Sequence, residues 1–308
     1  MAGSIDPGQV HSERPLDNMS IALSNTELIG GSIAPVVPVA NQADEYWIFN
    51  QPEWFRDEAG FRAPGTRAKT GSYSMSKGTY RAREVAFDGK VVDESRKNAD
   101  AGMDPDRRAI EFATGKVMLS MELRVASLLQ TSGNWATTVA APYKWDDYDN
   151  SDPSDDVKGI RQTIRSLIGR NPNTLVISER VLEALEDHPL VNERLPTNVA
   201  QFADISLLAR IFKVQTIQVG KAIYTTSPEG TASPTYTDIW TDTAWLGWVN
   251  PRPALEEPSA LYVFDWGGRR VVPFREQGEE ADYYRVKTYQ DEKIVSTICG
   301  ATITDVLA

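Results

Sequence analysis

Residues 104–131, DPDRRAIEFATGKVMLSMELRVASLLQT, read as one unbroken helix, and no other stretch does so over a comparable length. Asp104 is a good N-cap, Pro105 fits the first helical position, and Asp106 sets a negative charge at the positive end of the helix dipole. Ile110, Ala113, Val117, Met121, Val125 and Leu128 follow at three- or four-residue steps and form an apolar stripe. Leu119, Leu123 and Ala126 widen it, so more than one face must be covered. Ser132-Gly133 supplies the stop. At 1.5 Å per residue the rod is about 40 Å long, the width of a domain. A chain with a single such rod must arrange its short strands and helices around it.

What surrounds the rod is soluble and globular in character. The 308 residues are 41% hydrophobic and 24% charged, enough for one or two domains with a large core. No apolar run reaches membrane-spanning length, and the first residues lack the basic-then-apolar order of a secretory signal. The one cysteine, Cys299, excludes an internal disulfide framework and fits a reducing compartment. Asp and Glu outnumber Lys and Arg by 43 to 32, a net charge of −11. Affinity for phosphate comes from clustered Lys and Arg, so this is no general nucleic-acid binder. An acidic wall can still enclose DNA, repelling it and letting it slide.

Along the chain, residues 1–20 are polar, with Pro7, Gly8 and Pro15, and read as an arm. A short helix is expected at 21–31. The stretch 33–40, IAPVVPVA, is apolar but interrupted by Pro35 and Pro38, hence extended and laid along another surface. The leader makes no compact unit alone and is long enough to reach a neighbour. Residues 43–99 read as an extended hairpin. Residues 46–50 give a short strand, 54–63 mix aromatic and charged side chains, and 66–78 are small, polar and glycine-punctuated. Residues 80–92 alternate as a strand, with Asp88-Gly89 as a turn. A hairpin with so little core is either disordered or covered by another chain.

After the rod, 135–156 carry the acidic tract DDYDNSDPSDD. Asp147, Asp149 and Ser151 alternate as calcium ligands would, but the EF-hand glycine and terminal Glu are missing, so a solvated loop is the better reading. Residues 157–226 alternate helix and strand: helices at 157–168, 179–186 (capped by Ser178) and 203–212, and strands at 174–177, 213–219 and 222–226. No glycine-rich phosphate loop follows either of the strands that could carry one. The strand-like 238–249, DIWTDTAWLGWV, offers its tryptophans as a sugar platform or as core, with core favoured. Residues 260–272 turn at Gly267-Gly268. Two closing strands are expected at 283–289 and 293–303, with a turn at 290–292.

No catalytic, cofactor-binding or metal-ligating set emerges. There is no G-x-S-x-G, and neither His11 in the leader nor His188 before Pro189 is placed for a triad. A metal hydrolase has only the acidic loop to draw on. A pair of glycosidase carboxylates cannot be singled out among so many acids. His188 reads as a helix-end residue and Cys299 as a small buried group in a strand.

The order of elements is specific. A reaching arm, a long coreless hairpin, one long helix, a compact α/β unit and returning C-terminal strands resemble the major capsid proteins of tailed bacteriophages, the Hong Kong ninety-seven type. The similarity lies in residues 61–100 as the E-loop, 104–130 as the spine helix, 171–195 entering the A-domain and 280–304 as the closing strands. It covers nearly the whole chain and rests on order and character, not on an invariant motif.

The resemblance implies an α+β fold divided as N-arm 1–42, E-loop hairpin 43–99, P-domain with the spine helix 100–156, A-domain 157–272 and returning strands 273–308. It implies a structural protein and no enzyme: a homo-oligomer of pentamers and hexamers in an icosahedral head, enclosing double-stranded DNA without sequence-specific binding and without a membrane. Localisation would be the virion, with assembly in the host bacterial cytoplasm. The sites it implies are contacts between subunits, through Arg62, Arg67, Lys69, Tyr73 and Lys77 of the E-loop and Ile33, Val36, Val37 and Val39 of the arm. Crosslinking members join a lysine to a neighbour's asparagine; Lys69 and Lys77 are the E-loop candidates here, but nothing fixes their partner, so non-covalent contact is expected. Only a short stretch precedes residue 21, so a scaffold, like portal and decoration proteins, would be separate. Two rival readings are an encapsulin-like compartment shell and a sugar-binding or hydrolytic protein using Trp240, Trp245, Trp248 and the acidic loop.

Overall fold

The computed structural model describes residues 27–49, 53, 55–99, 104–194, 204–229, 231–254 and 257–308. Its axis is the spine helix, here α3, Pro105–Gln130. The helix is preceded by α1, Gly30–Ile33, and α2, Asp93–Lys97. The Asp104 side chain accepts from the Asp106 and Arg107 backbone N–H groups, which satisfies part of the first turn. Thr131 ends the helix in extended conformation, two residues ahead of the expected glycine.

Two five-stranded sheets pack on this helix. The first contains β1, Val36–Pro38; β4, Arg83–Val92; β11, Leu261–Asp265; β12, Arg270–Glu276; and β13, Ala281–Ile294. β13 is its centre. It pairs antiparallel with β4 over Arg83–Gln290 to Val92–Ala281, with β12 over Arg270–Lys287 to Glu276–Ala281, and with β11 over Leu261–Ile294 to Asp265–Gln290. β1 closes one edge, parallel to β11. Val271 and Val286 from this sheet meet Ile110, Ala113 and Val117 of the helix.

The second sheet is mixed, in the order β5-β14-β10-β6-β7. Its strands are β5, Thr137–Ala140; β6, Thr174–Ser178; β7, Thr216–Gly220; β10, Ala244–Gly247; and β14, Gly300–Thr304. α4, Pro153–Ile168, α5, Glu179–Asp187, α6, Pro189–Asn192, and α7, Ile205–Phe212, accompany it. Val125, Ala126 and Leu129 from the later turns of α3 enter this core with Ile160, Ile164, Leu175, Leu185 and Trp245. The buried stripe of α3 therefore turns along its length, one part facing each sheet. Two hairpins stand apart: β2, Ala43–Phe49, with β3, Met75–Arg81, and β8, Ile223–Thr225, with β9, Tyr236–Asp238.

Several expectations change. Asp88-Gly89 is no turn: β4 runs straight through it, and a Cβ on Gly89 would strike the Ala109 carbonyl, so the glycine is there to let strand and helix approach closely. Residues 290–292 do not turn either. β13 is continuous through them, because Gln290–Ile294 take a second partner, β11, where the pairing with β12 has ended. The stretch 238–249 breaks into the end of β9 and β10, separated by irregular backbone at 239–243. Cys299 lies in a short turn, Thr297–Cys299, not in a strand, and is buried. The boundary at 272 falls inside β12, since β11 and β12 belong with β13 rather than with the strands at 174–247. Of the expected helix at 21–31, residues 21–26 lie outside the described residues, as does His11.

Candidate intersubunit surfaces

The hairpin is rooted before it reaches out. Tyr46 of β2 and Tyr80 of β3 are buried on Phe264 of β11, with ring centroids 5.2 and 4.6 Å apart. Gln42 Nε2 donates to the Ala82 carbonyl at 3.0 Å, across the point where β3 gives way to β4. Beyond this root the burial disappears. Every residue from 55 to 74 is exposed, including the large side chains Phe55, Phe61 and Tyr73.

Short-range polar contacts shape the loop. Arg62 Nη1 donates to the Thr66 carbonyl at 3.1 Å and Arg56 pairs with Glu58 at 3.1 Å. At its neck, Glu53 accepts from the Ser74 backbone N–H and hydroxyl, and these bonds, the backbone one first, hold its carboxyl below the usual range. Lys77 stands 4.8 Å from the Trp47 ring centroid and pairs with Glu45 at 2.6 Å. Arg67 and Lys69 make no ion pair among the described residues. The structure thus gathers Arg62, Arg67, Lys69 and Tyr73 on one exposed loop, with Lys77 already engaged at its base. Sequence reasoning passed over Phe55 and Phe61, although aromatic residues scattered through a segment with no apolar period were the signal.

The arm behaves differently. Ile33, Val37 and Val39 are buried within their own chain, and of the four arm residues only Val36 is exposed, at 41%. Ile33 joins the main core, while Val37 and Val39 pack with Tyr46, Tyr80 and Phe264. Three of the four arm residues expected at a neighbour thus face their own core, because an apolar segment ending beside an open strand edge pairs with that edge, here β11.

The far end of the first sheet is fastened by charge. Arg96 of α2 pairs with Asp282 at 2.7 Å and Asp106 at 2.5 Å, while Arg275 pairs with Asp93 at 2.6 Å and Asp282 at 3.0 Å. Hydrogen bonds from Arg275 hold the Asp93 carboxyl below its ordinary range, and those from Arg96 do so for Asp282. Burial beside Asp106 pushes the Tyr284 hydroxyl up to about 12. Farther along, Arg124 grips Glu292 and Arg285 grips Asp88, each through two bonds of 2.7–2.8 Å.

The candidates for chemistry are structural. The acidic tract spends its carboxylates locally: Asp152 caps α4, Asp147 accepts from Asn150, Asp146 from the Ala308 backbone N–H, and Asp156 from the Trp145 indole at 3.0 Å. Among the described residues no group of three or more His, Cys, Asp or Glu could hold a metal ion. His188 is fully buried, bonded to the Ser151 hydroxyl at 2.9 Å and accepting from the Leu190 N–H, and burial lowers its pKa. Trp240 and Trp245 are core and Trp248 is half-buried, with the Arg170 guanidinium 5.6 Å from its ring centroid, so no sugar platform forms.

No family model matches the sequence. The chain is 27% identical over 274 residues to the major capsid protein of Burkholderia phage BcepMu, covering 84% of this chain and 85% of the relative. A crystal structure of a phage-related protein from Bordetella bronchiseptica RB50 superposes with a TM-score of 0.77 at 26% identity, covering 96% of this chain and 97% of that one. The capsid of an empty GTA particle shares the fold at 11% identity, with a TM-score of 0.55 over 97% and 94% of the two chains.

Proposed function

We propose that this chain, built on the fold of phage capsids and related in sequence to a phage major capsid protein, is the structural subunit of a phage head, many copies of which close into an icosahedral shell around a DNA genome. It is a structural protein and not an enzyme.

The observation that carries the mechanism is the hairpin loop, exposed throughout on a body whose core is complete without it. Burying Phe55, Phe61 and Tyr73 on a neighbouring copy contributes about 2 kcal/mol each. The cost of ordering the loop partly offsets this. A single contact of that size is weak, and repetition at every subunit makes a shell of it. Arg62, Arg67 and Lys69 supply positive charge, which a net-acidic neighbour meets. Under this reading the subunits form pentamers and hexamers without covalent links. A scaffold, a portal and decoration proteins are supplied by other chains, and assembly takes place in the bacterial cytoplasm before the shell becomes part of the virion. With a net charge of −11 on each subunit, the shell confines double-stranded DNA by enclosure and not by affinity.

Replacing residues 56–73 by a short glycine-serine turn tests the mechanism. The subunit should keep its circular dichroism spectrum and remain soluble, and negative-stain microscopy should show no shells. Shells of normal size and number from that variant would refute the role of the loop.

A further inference from the structure

Glu122 lies in the middle of the spine helix with 2% of its surface exposed, and no ion pair to it occurs among the described residues. A buried carboxylate without a cation is costly unless its oxygens are fully hydrogen-bonded. Three donors surround it. Oε2 accepts from the Gly30 backbone N–H at 2.6 Å; Oε1 accepts from the Ile29 N–H at 3.1 Å and from the Trp240 indole N–H at 2.8 Å. The donors come from separate parts of the molecule. Ile29 and Gly30 open α1, whereas Trp240 packs on Gly220 at the end of β7. The fit at Gly30 leaves no room for a side chain: a Cβ there would lie 2.7 Å from Glu122 Oε2.

Apolar contact also holds this region, since Ile29 and Ile33 are in the core. Burial of that kind is non-directional and leaves the heading of the backbone open. Three donors converging on two oxygens fix it. We propose that Glu122 is the positioning residue of the N-terminal arm: by clasping Ile29 and Gly30 to the spine helix and to Trp240, it sets the line along which the chain runs from α1 into β1, and with it the exposed Val36 edge offered to a neighbouring copy. The consequence for shells rests on the capsid reading, while the clasp stands or falls by itself.

Glu122→Gln separates this role from space-filling. The amide has the same shape, but it replaces one acceptor by an NH₂ group that faces donors. Hydrogen exchange on the purified subunit should show the Ile29 and Gly30 amides exchanging about tenfold faster, equivalent to the loss of one well-made bond, while amides at 123–129 keep wild-type rates. Shell yield at a fixed subunit concentration should fall at least as far. Wild-type exchange at Ile29 and Gly30, or uniform acceleration across the chain, overturns the proposal; so do normal shells from a subunit whose arm has loosened. If the Gln variant does not fold, Trp240→Phe decides, since it removes one donor of the three. It should accelerate the same two amides about threefold and no others, and wild-type rates there overturn the clasp. Wild-type chain in the same shell assay reports on the capsid reading separately: if it forms no shells that reading fails, and the exchange data still decide the clasp.

Discussion

Residues 33–39 and residues 55–74 share one property in sequence: neither has a helical or strand period long enough to define an element, and both look like chain reaching away from the body. In the structure they part. The arm segment buries Ile33, Val37 and Val39, and its three-residue strand β1 extends the first sheet beside β11. The loop keeps every residue from 55 to 74 exposed, although Phe55, Phe61 and Tyr73 are larger side chains; the Phe55 ring, 63% exposed, touches the body at Gly169. What separates them is an available edge. β11 offers unpaired backbone groups to the arm, whereas residues 55–74, between β2 and β3, have no strand beside them. Apolar content alone does not decide whether a segment folds onto its own chain. It must also find backbone partners where its side chains are covered.

The contrast can be broken at several points. The largest effect on subunit stability is expected for Ile33→Asp, which puts an unpaired charge into the core and should leave the chain insoluble or unfolded at room temperature, as read by circular dichroism. Ile33→Ala should cost about 3 kcal/mol in denaturant unfolding, through lost burial and the cavity left behind. If either variant matches the wild type in stability, the arm segment is not part of the fold.

Acid should loosen the far end of the first sheet next. Asp93 and Asp282 have folded pKa values below their unfolded ones, so the stability they confer is present above the ordinary carboxylate range, near pH 4, and drains away as pH falls through their lower folded values. Burial acts in the opposite sense on Asp156 and Asp265, whose raised values make acid relieve a cost instead. Asp282→Asn should therefore be less stable than wild type at pH 7, with the gap narrowing as the pH drops below about 4. A gap that stays constant from pH 7 to pH 3 would show that the Arg96 and Arg275 pairs do not stabilise the folded state. The smallest effect on the subunit belongs to the loop: Phe61→Ala and Arg67→Glu should each change unfolding free energy by less than about 0.5 kcal/mol while reducing shell yield. Equal stability together with equal shell yield would move the contact elsewhere on the molecule.

Much of this was legible in the sequence, for physical reasons that can be named. The spine helix announces itself by its cap, its proline and its stripe, and α5 by Ser178, whose side chain accepts from the Val181 N–H. The tryptophans at 240 and 245 were recognisable as core. What escaped depends on partners distant in sequence. Glu122 reads as one more acid on a charged helix until Ile29 and Trp240 are brought against it, although its spacing from Val125, Ala126 and Leu129 sets it on the buried face. Gly89 reads as a turn until Ala109 is seen to need the space. Likewise, β13 reads as two strands because nothing local reveals that its second half has a new neighbour.

The partners of β13 also order events in time. Arg83 lies opposite Gln290, Val36 beside Val263 and Thr137 beside Ala301, so strands made early wait for strands made much later. Pairings between such distant parts of a chain close slowly, because the loop entropy must be overcome before any contact rewards it. Neither sheet is finished until β13 and β14, residues 281–304, have left the ribosome. Nascent copies that have not yet released those strands carry no completed sheet, and association among them is held back until then.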